Sequence, residues 1–220
     1  MQHDEHFARR LLHAQLGQAP EPRPASEPAA QAAGTAEPEP AERHRAEAPT
    51  GIGCAVVTVS DTRRRATDRG GDAAVAALER WGHEVRRRAL VPDVPAAIAH
   101  ALREALADAR VDAVLFTGGT GLGPRDVTPE VLERRYDKPL PGFGEAFRRH
   151  SEAQIGAAAM LSRASAGIAA GKPVFCLPGS PKAVALACER LIGPELGHLL
   201  RVLERGRVRA AAAGGGEATA

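Results

Sequence analysis

The chain has 220 residues, a length that suits one domain of moderate size with tails. A formal net charge of +2, an aromatic content of 3% and three cysteines without CxxC spacing argue against a nucleic-acid surface, a disulfide framework and a zinc site. No stretch has the apolar length of a membrane span or a signal-peptide core, so a cytoplasmic location is expected.

Residues 1–50 are rich in Ala, Pro, Glu and Gln, and are expected to form a disordered extension with at most a short helix near "HDEHFARRLLHAQL". Residues 209–220, "RAAAAGGGEATA", read as a second solvated tail, which leaves 51–208 as the folded domain. Within it, "IGCAVVTVS" (52–60) is a continuous apolar run that suits a strand buried on both faces. The basic run "TRRRATDR" (62–69) lacks interleaved aromatic residues and reads as a solvated loop. In "RGGDAAVAALERWG" (69–82), Ala74, Ala77, Leu78 and Trp81 fall at helical spacing and Gly82 supplies the stop. "HEVRRRALV" (83–91) alternates as a more exposed strand would, and an amphipathic helix follows over 94–108. "VDAVLFT" (111–117) is a second buried strand. "TPEVLERRY" (128–136) and "FGEAFRRHSEAQ" (143–154) read as helical, and "RASAGIAAGKPVFCLP" (163–178) holds one or two strands. A long helix closes the domain from 180, with a break near Gly193 and Pro194.

This alternation predicts an α/β fold: three layers, doubly wound, with a mostly parallel sheet and helices on both faces. Ligands of such sheets bind outside the carboxyl ends of the strands. The turns expected there are Ser60-Asp61-Thr62, Val91-Pro92-Asp93, Thr117-Gly118-Gly119-Thr120-Gly121 and Pro178-Gly179-Ser180-Pro181-Lys182. The glycines admit positive φ and let an anion approach the backbone. The loop is not a P-loop, because Pro124 and Arg125 follow Gly123, and no helix starts directly after its glycines as a dinucleotide fingerprint requires. Thr128 and Ser180 are read as N-caps followed by proline at N1. Lys182 adds a mobile positive charge, and Asp93 and Asp126 are each either a local cap or a Mg²⁺ ligand. His83, His100, His150 and His198 are assigned to packing or solvent.

In chain order, "TVSDTR", "LVPD", "TGGTGLGPRDVTPE", "PGFGEAFR", "SRASAG" and "LPGSPKAV" resemble the MoaB/Mog family of molybdenum cofactor biosynthesis proteins, over about Gly51 to Leu203. The stretches "IGAAAMLSRASAG" and "LIGPELGHLL" are more similar to MoaB than to Mog. The resemblance implies adenylylation of molybdopterin by Mg-ATP, with release of pyrophosphate and hand-on of adenylyl-molybdopterin to a MoeA-type molybdate insertion protein. It further implies catalytic and metal roles for Asp93 and Asp126. Ligand contacts are implied for Ser60, Asp61, Thr117, Gly118, Gly119, Thr120, Gly121, Pro178, Gly179, Ser180 and Lys182, and the assembly is a homotrimer or hexamer. A non-catalytic molybdopterin carrier is the alternative, and a hydrolase of the CinA-related kind a more distant one.

Overall fold

The computed structural model describes residues 51–214, with side chains to 208. The extension expected at 1–50 and the last six residues of the tail lie outside these described residues. Six strands form one sheet in the order β2-β1-β3-β6-β5-β4. They are β1 (Gly53–Val59), β2 (Glu84–Val91), β3 (Ala113–Thr117), β4 (Lys138–Pro139), β5 (Ser165–Ala169) and β6 (Lys172–Leu177). Strands β2, β1, β3 and β6 run parallel, whereas β5 is antiparallel to β6 and β4 antiparallel to β5.

The unbroken apolar runs are explained by two cores, one on each face. Cys54, Val56, Leu115, Phe175 and Leu177 point to one side. There they meet α1 (Arg69–Arg80), α4 (Pro141–Ile155), α5 (Pro181–Ala187) and the start of α6 (Gly193–Gly214). Ala55, Val57, Val114, Phe116 and Cys176 point to the other, against α2 (Pro95–Ala107) and α3 (Thr128–Glu133). Period-two alternation between two buried faces makes a central strand read as apolar throughout, with Thr58 and Thr117 the polar exceptions near the carboxyl ends of β1 and β3. Edge strand β2 carries three arginines and is only partly covered.

Three local features of the elements have physical causes. The "RASAGIAAGKPVFCLP" stretch is a hairpin whose two central turn residues, Ala170 and Gly171, both have positive φ, 47° and 70°. This is the turn twist that suits tight hairpins, and it makes β5 antiparallel. The short β4 lacks a sequence signal because two residues carry no readable period. The closing helix is divided: a π-helical turn, Cys188–Ile192, joins α5 to α6 just before Pro194. Proline cannot donate to a helical carbonyl, and a π turn absorbs that lost bond. The Trp81 indole occupies the place a Cβ on Gly193 would take. Helix α6 continues to Gly214, so the backbone is helical in the first six residues of the expected tail.

All three cysteines are free and buried, and burial pushes the Cys54 and Cys188 thiols up to about 12. Among the described residues, no helix is long and apolar enough to cross a membrane.

Candidate functional site

Strand order reverses between β2-β1 and β1-β3, and the helices after β1 and β3 lie on opposite faces. The loops leaving β1 and β3 therefore diverge and open a crevice at their carboxyl ends. A cleft of about 510 Å³ lies there, lined among others by Ser60, Asp93, Thr117, Gly118, Gly119, Thr120, Gly121, Asp126, Gly179 and Ser180. Asp61 stands at its rim, bonded to Asp93. A second cleft of about 860 Å³ adjoins it, lined by Pro178 and Lys182 and sharing Thr120, Gly121 and Ser180 with the first. All the turns expected to form one edge are thus brought together, with Lys182 and Pro178 on the neighbouring cleft.

The loops after β1 and β2 hold each other through two aspartates. The Asp61 amide donates to Asp93 Oδ2 at 2.9 Å, and the Asp93 amide donates to Asp61 Oδ1 at 3.0 Å. Arg125 closes the rim by donating from Nε to Asp61 Oδ2 at 2.6 Å. Ser60 Oγ accepts from the amides of Thr62 and Arg63. Burial pushes the Asp93 carboxyl upward, the Asp61 amide opposes that, and the nearby charges of Asp61 and Asp126 push upward again.

The glycines of the β3 loop have specific work. Gly118 and Gly119 have φ of 99° and 61°. A Cβ on Gly118 would strike the Val59 carbonyl, and one on Gly119 would lie 2.6 Å from Asp93 Oδ1 and also against Thr128 Oγ1. A Cβ on Gly121 would lie 2.6 Å from Asp126 Oδ2. The carboxylates thus pack directly under bare backbone, and any side chain there would displace them. Asp126 Oδ2 accepts from the Gly123 amide at 3.0 Å, and the Asp126 amide returns a bond to the Gly123 carbonyl at 3.0 Å. Thr117 Oγ1 donates to the Pro178 carbonyl at 3.0 Å, fastening the β3 and β6 turns together.

The capping assignments need correction. Val94, not Asp93, is the N-cap of α2, because the Asp93 carboxylate is engaged across the cleft with Asp61. Val127 is the N-cap of α3 and Thr128 is already its first residue, because the Thr128 amide donates to the Gly119 carbonyl at 3.0 Å and draws the chain into the helix one position early. Ser180 does occupy the N-cap of α5, yet its hydroxyl makes no capping bond.

Three further residues shape the site, Asp68 and Arg63 from the loop after β1 and Arg163 from the segment before β5. Asp68, fully buried, lines the cleft and caps α1 through the Gly71 amide at 2.9 Å. It also accepts from Thr58 Oγ1 at 2.8 Å and from Arg88 at 2.9 Å. Burial pushes its pKa up, but the bonds from Arg88, Gly71 and Thr58 outweigh that and hold it below the usual range. Arg63 lines the same cleft and spends one guanidinium nitrogen on the Thr67 carbonyl at 3.0 Å. Arg163 binds the β3 loop from behind, through the carbonyls of Thr120, Gly121 and Asp126. An acid directly before the helical spacing of 69–82 is the sequence signal for Asp68 as a cap, and Arg63 and Arg163 fall within the motifs TVSDTR and SRASAG without a role that spacing reveals.

Residues 55–198 match the family described as a probable molybdopterin binding domain. The molybdenum cofactor biosynthesis protein B of Halalkalibacterium halodurans is 46% identical over 167 residues, 76% of this chain and 98% of that protein. A crystal structure of a molybdenum cofactor biosynthesis protein B is 44% identical, with a TM-score of 0.70 over 72% of this chain and 99% of the other. The tungsten cofactor synthesizing protein MoaB of Pyrococcus furiosus is 36% identical, with a TM-score of 0.64 over 71% and 99%. With a domain match covering most of the described fold and relatives aligned over nearly their whole length, the chain belongs to the MoaB family of molybdenum cofactor biosynthesis proteins.

Proposed function

We propose that this chain adenylylates molybdopterin: the terminal phosphate of the pterin attacks the α-phosphorus of Mg-ATP, the bond to the bridging oxygen breaks, and pyrophosphate leaves. The observation that carries the reading is a pair of half-satisfied carboxylates in one cleft beneath glycine backbone. Asp93 and Asp126 each accept one backbone amide on Oδ2, and among the described residues each keeps Oδ1 without a hydrogen bond. Both reactants are anionic, so the barrier is dominated by charge repulsion and alignment, and a covalent protein nucleophile is not required.

The residues suit Mg²⁺ as a companion of the nucleotide. Among the described residues no three His, Cys, Asp or Glu side chains gather as a metal cage, and Mg²⁺ characteristically takes one or two carboxylates together with substrate phosphates. Asp93 and Asp126 would hold it, and Thr128 Oγ1, buried without a partner beside Asp93 Oδ1, offers a further oxygen. When bound, the ion neutralises phosphate charge. The chain's own groups do the rest: Thr117 to Gly121 leave room for phosphate against the backbone, Ser60 and Asp61 hold the rim, and Arg63 supplies positive charge toward the leaving pyrophosphate. The larger cleft, with apolar walls from Phe147, Leu161 and Leu186, suits a ring system, with Lys182 and the Pro178-Gly179-Ser180 turn at the junction.

In this reading the product passes to a MoeA-type insertion protein, and the compartment is the cytoplasm, where ATP is present. A homotrimer or hexamer would cover exposed Met160, which lies outside the larger cleft. The test is incubation with Mg-ATP and molybdopterin. Pyrophosphate and adenylylated pterin are expected in equal amounts, and both should vanish when Mg²⁺ is chelated. Tight pterin binding without either product would instead identify a carrier.

A further inference from the structure

The antiparallel turn of β5 has a consequence for the site. Ser165 at the start of β5 pairs with Cys176 near the end of β6. The segment before β5 is thereby delivered to the carboxyl edge, where a parallel strand would have delivered the segment after it. That segment carries Arg163. Its Nε donates to the Thr120 carbonyl at 3.1 Å, and one terminal nitrogen donates to the carbonyls of Gly121 and Asp126, each at 2.6 Å. The other terminal nitrogen pairs with Glu130 in the first turn of α3. One planar fork thus ties both ends of the loop 120–126 to each other and to the helix that follows.

The tied loop contains Gly121 and Gly123 and has few bonds of its own beyond those between Gly123 and Asp126. Thr120 and Gly121 form the wall shared by the two clefts, and Ser162, next to Arg163, lines the larger one. With its side chain only 26% exposed, Arg163 works from behind that wall. Bonds from a charged donor are about twice as strong as neutral ones, and a guanidinium is pre-organised to make several at once.

We propose that Arg163 is the positioning residue of the site: it holds the wall between the clefts and thereby sets Asp126 relative to the reacting phosphates. As a statement about catalysis this rests on the adenylyl-transfer reading; as a statement about loop order it does not. A lysine offers a single ammonium and no fork, so it cannot replace the arginine.

The experiment compares wild type, R163K and R163A by thermal melting, amide exchange, turnover and Mg-ATP affinity. Both variants are expected to melt within a few degrees of wild type and to exchange amides 118–127 faster. Their kcat should fall about 100-fold, the scale of a misplaced reacting group, with KM for Mg-ATP changed less than about threefold. Wild-type exchange and wild-type kcat in R163A would overturn the proposal, as would full recovery of kcat in R163K, since charge alone would then suffice. If R163A fails to fold, R163K decides by the same criteria. If wild type itself does not turn over, the adenylyl-transfer reading fails by itself. The proposal then stands on faster exchange of amides 118–127 in R163K with melting within a few degrees of wild type, and falls if that exchange is unchanged.

Discussion

Two kinds of carboxylate border the same cleft and are held in opposite ways. Asp68 has both oxygens engaged: Oδ1 by the Gly71 amide, Oδ2 by Thr58 and Arg88. Asp93 and Asp126 each give one oxygen to a backbone amide and, among the described residues, leave the other unbonded. The first arrangement satisfies a buried charge and binds α1 to β1 and β2. The second orients a carboxylate without using it up. A saturated acid serves the fold and a half-saturated one is available to a ligand, even when both line one cleft.

Substitutions that keep shape and remove charge break this comparison most directly. Asp126→Asn is expected to keep the fold and lower turnover at least about 100-fold, a loss of roughly 3 kcal/mol in transition-state stabilisation; pyrophosphate release at saturating substrates measures it. Asp68→Ala should do the reverse. It removes one of the two carboxylates on mostly buried Arg88, Asp72 remaining as the other, and the cost should be about 1.5–3 kcal/mol of stability, that of bonds to a charged group, read from urea unfolding.

Gly119→Ala tests the junction between fold and site. Its left-handed backbone costs an alanine about 1–2 kcal/mol, and its Cβ meets Asp93 Oδ1 and Thr128 Oγ1. Lower stability and lower Mg-ATP affinity are expected together, the second by calorimetric titration.

The smallest effect concerns His83, buried with neither ring nitrogen bonded among the described residues. Burial holds its pKa below the ordinary 6.5. The unfolded chain therefore takes up a proton first as pH falls through about 6.5, and stability declines until the folded pKa is passed, where this contribution levels off. Asp68, whose pKa is lowered, contributes above its ordinary 3.8 and loses that contribution only in stronger acid. His83→Gln should remove the upper step and leave the lower one, as followed by melting temperature against pH.

Much of this was legible in the chain. Central strands buried on both faces announced themselves as unbroken apolar runs, and the Gly, Pro and Asp turns at their ends mapped onto one crevice. What stayed hidden depended on direction and pairing. Nothing in "RASAGIAAGKPVFCLP" states that β5 runs backwards, so Arg163 lies outside the loops that follow strands. Asp93 and Thr128 have helix starts as sequence neighbours, whereas their partners are Asp61 on another loop and Gly119 at the far end of the loop before α3. Those contacts belong to the tertiary structure and leave no trace in local spacing.

The central claim is that the half-satisfied aspartates carry chemistry and the saturated one carries structure. The most direct measurement is pyrophosphate release from Mg-ATP and molybdopterin, run in parallel on wild type, Asp93→Asn, Asp126→Asn and Asp68→Asn, each with its melting temperature. The account predicts release by wild type only when both substrates are present, near-complete loss with unchanged melting in the Asp93 and Asp126 variants, and a lowered melting temperature with residual release in the Asp68 variant. Wild-type rates in the Asp93 and Asp126 variants would contradict it.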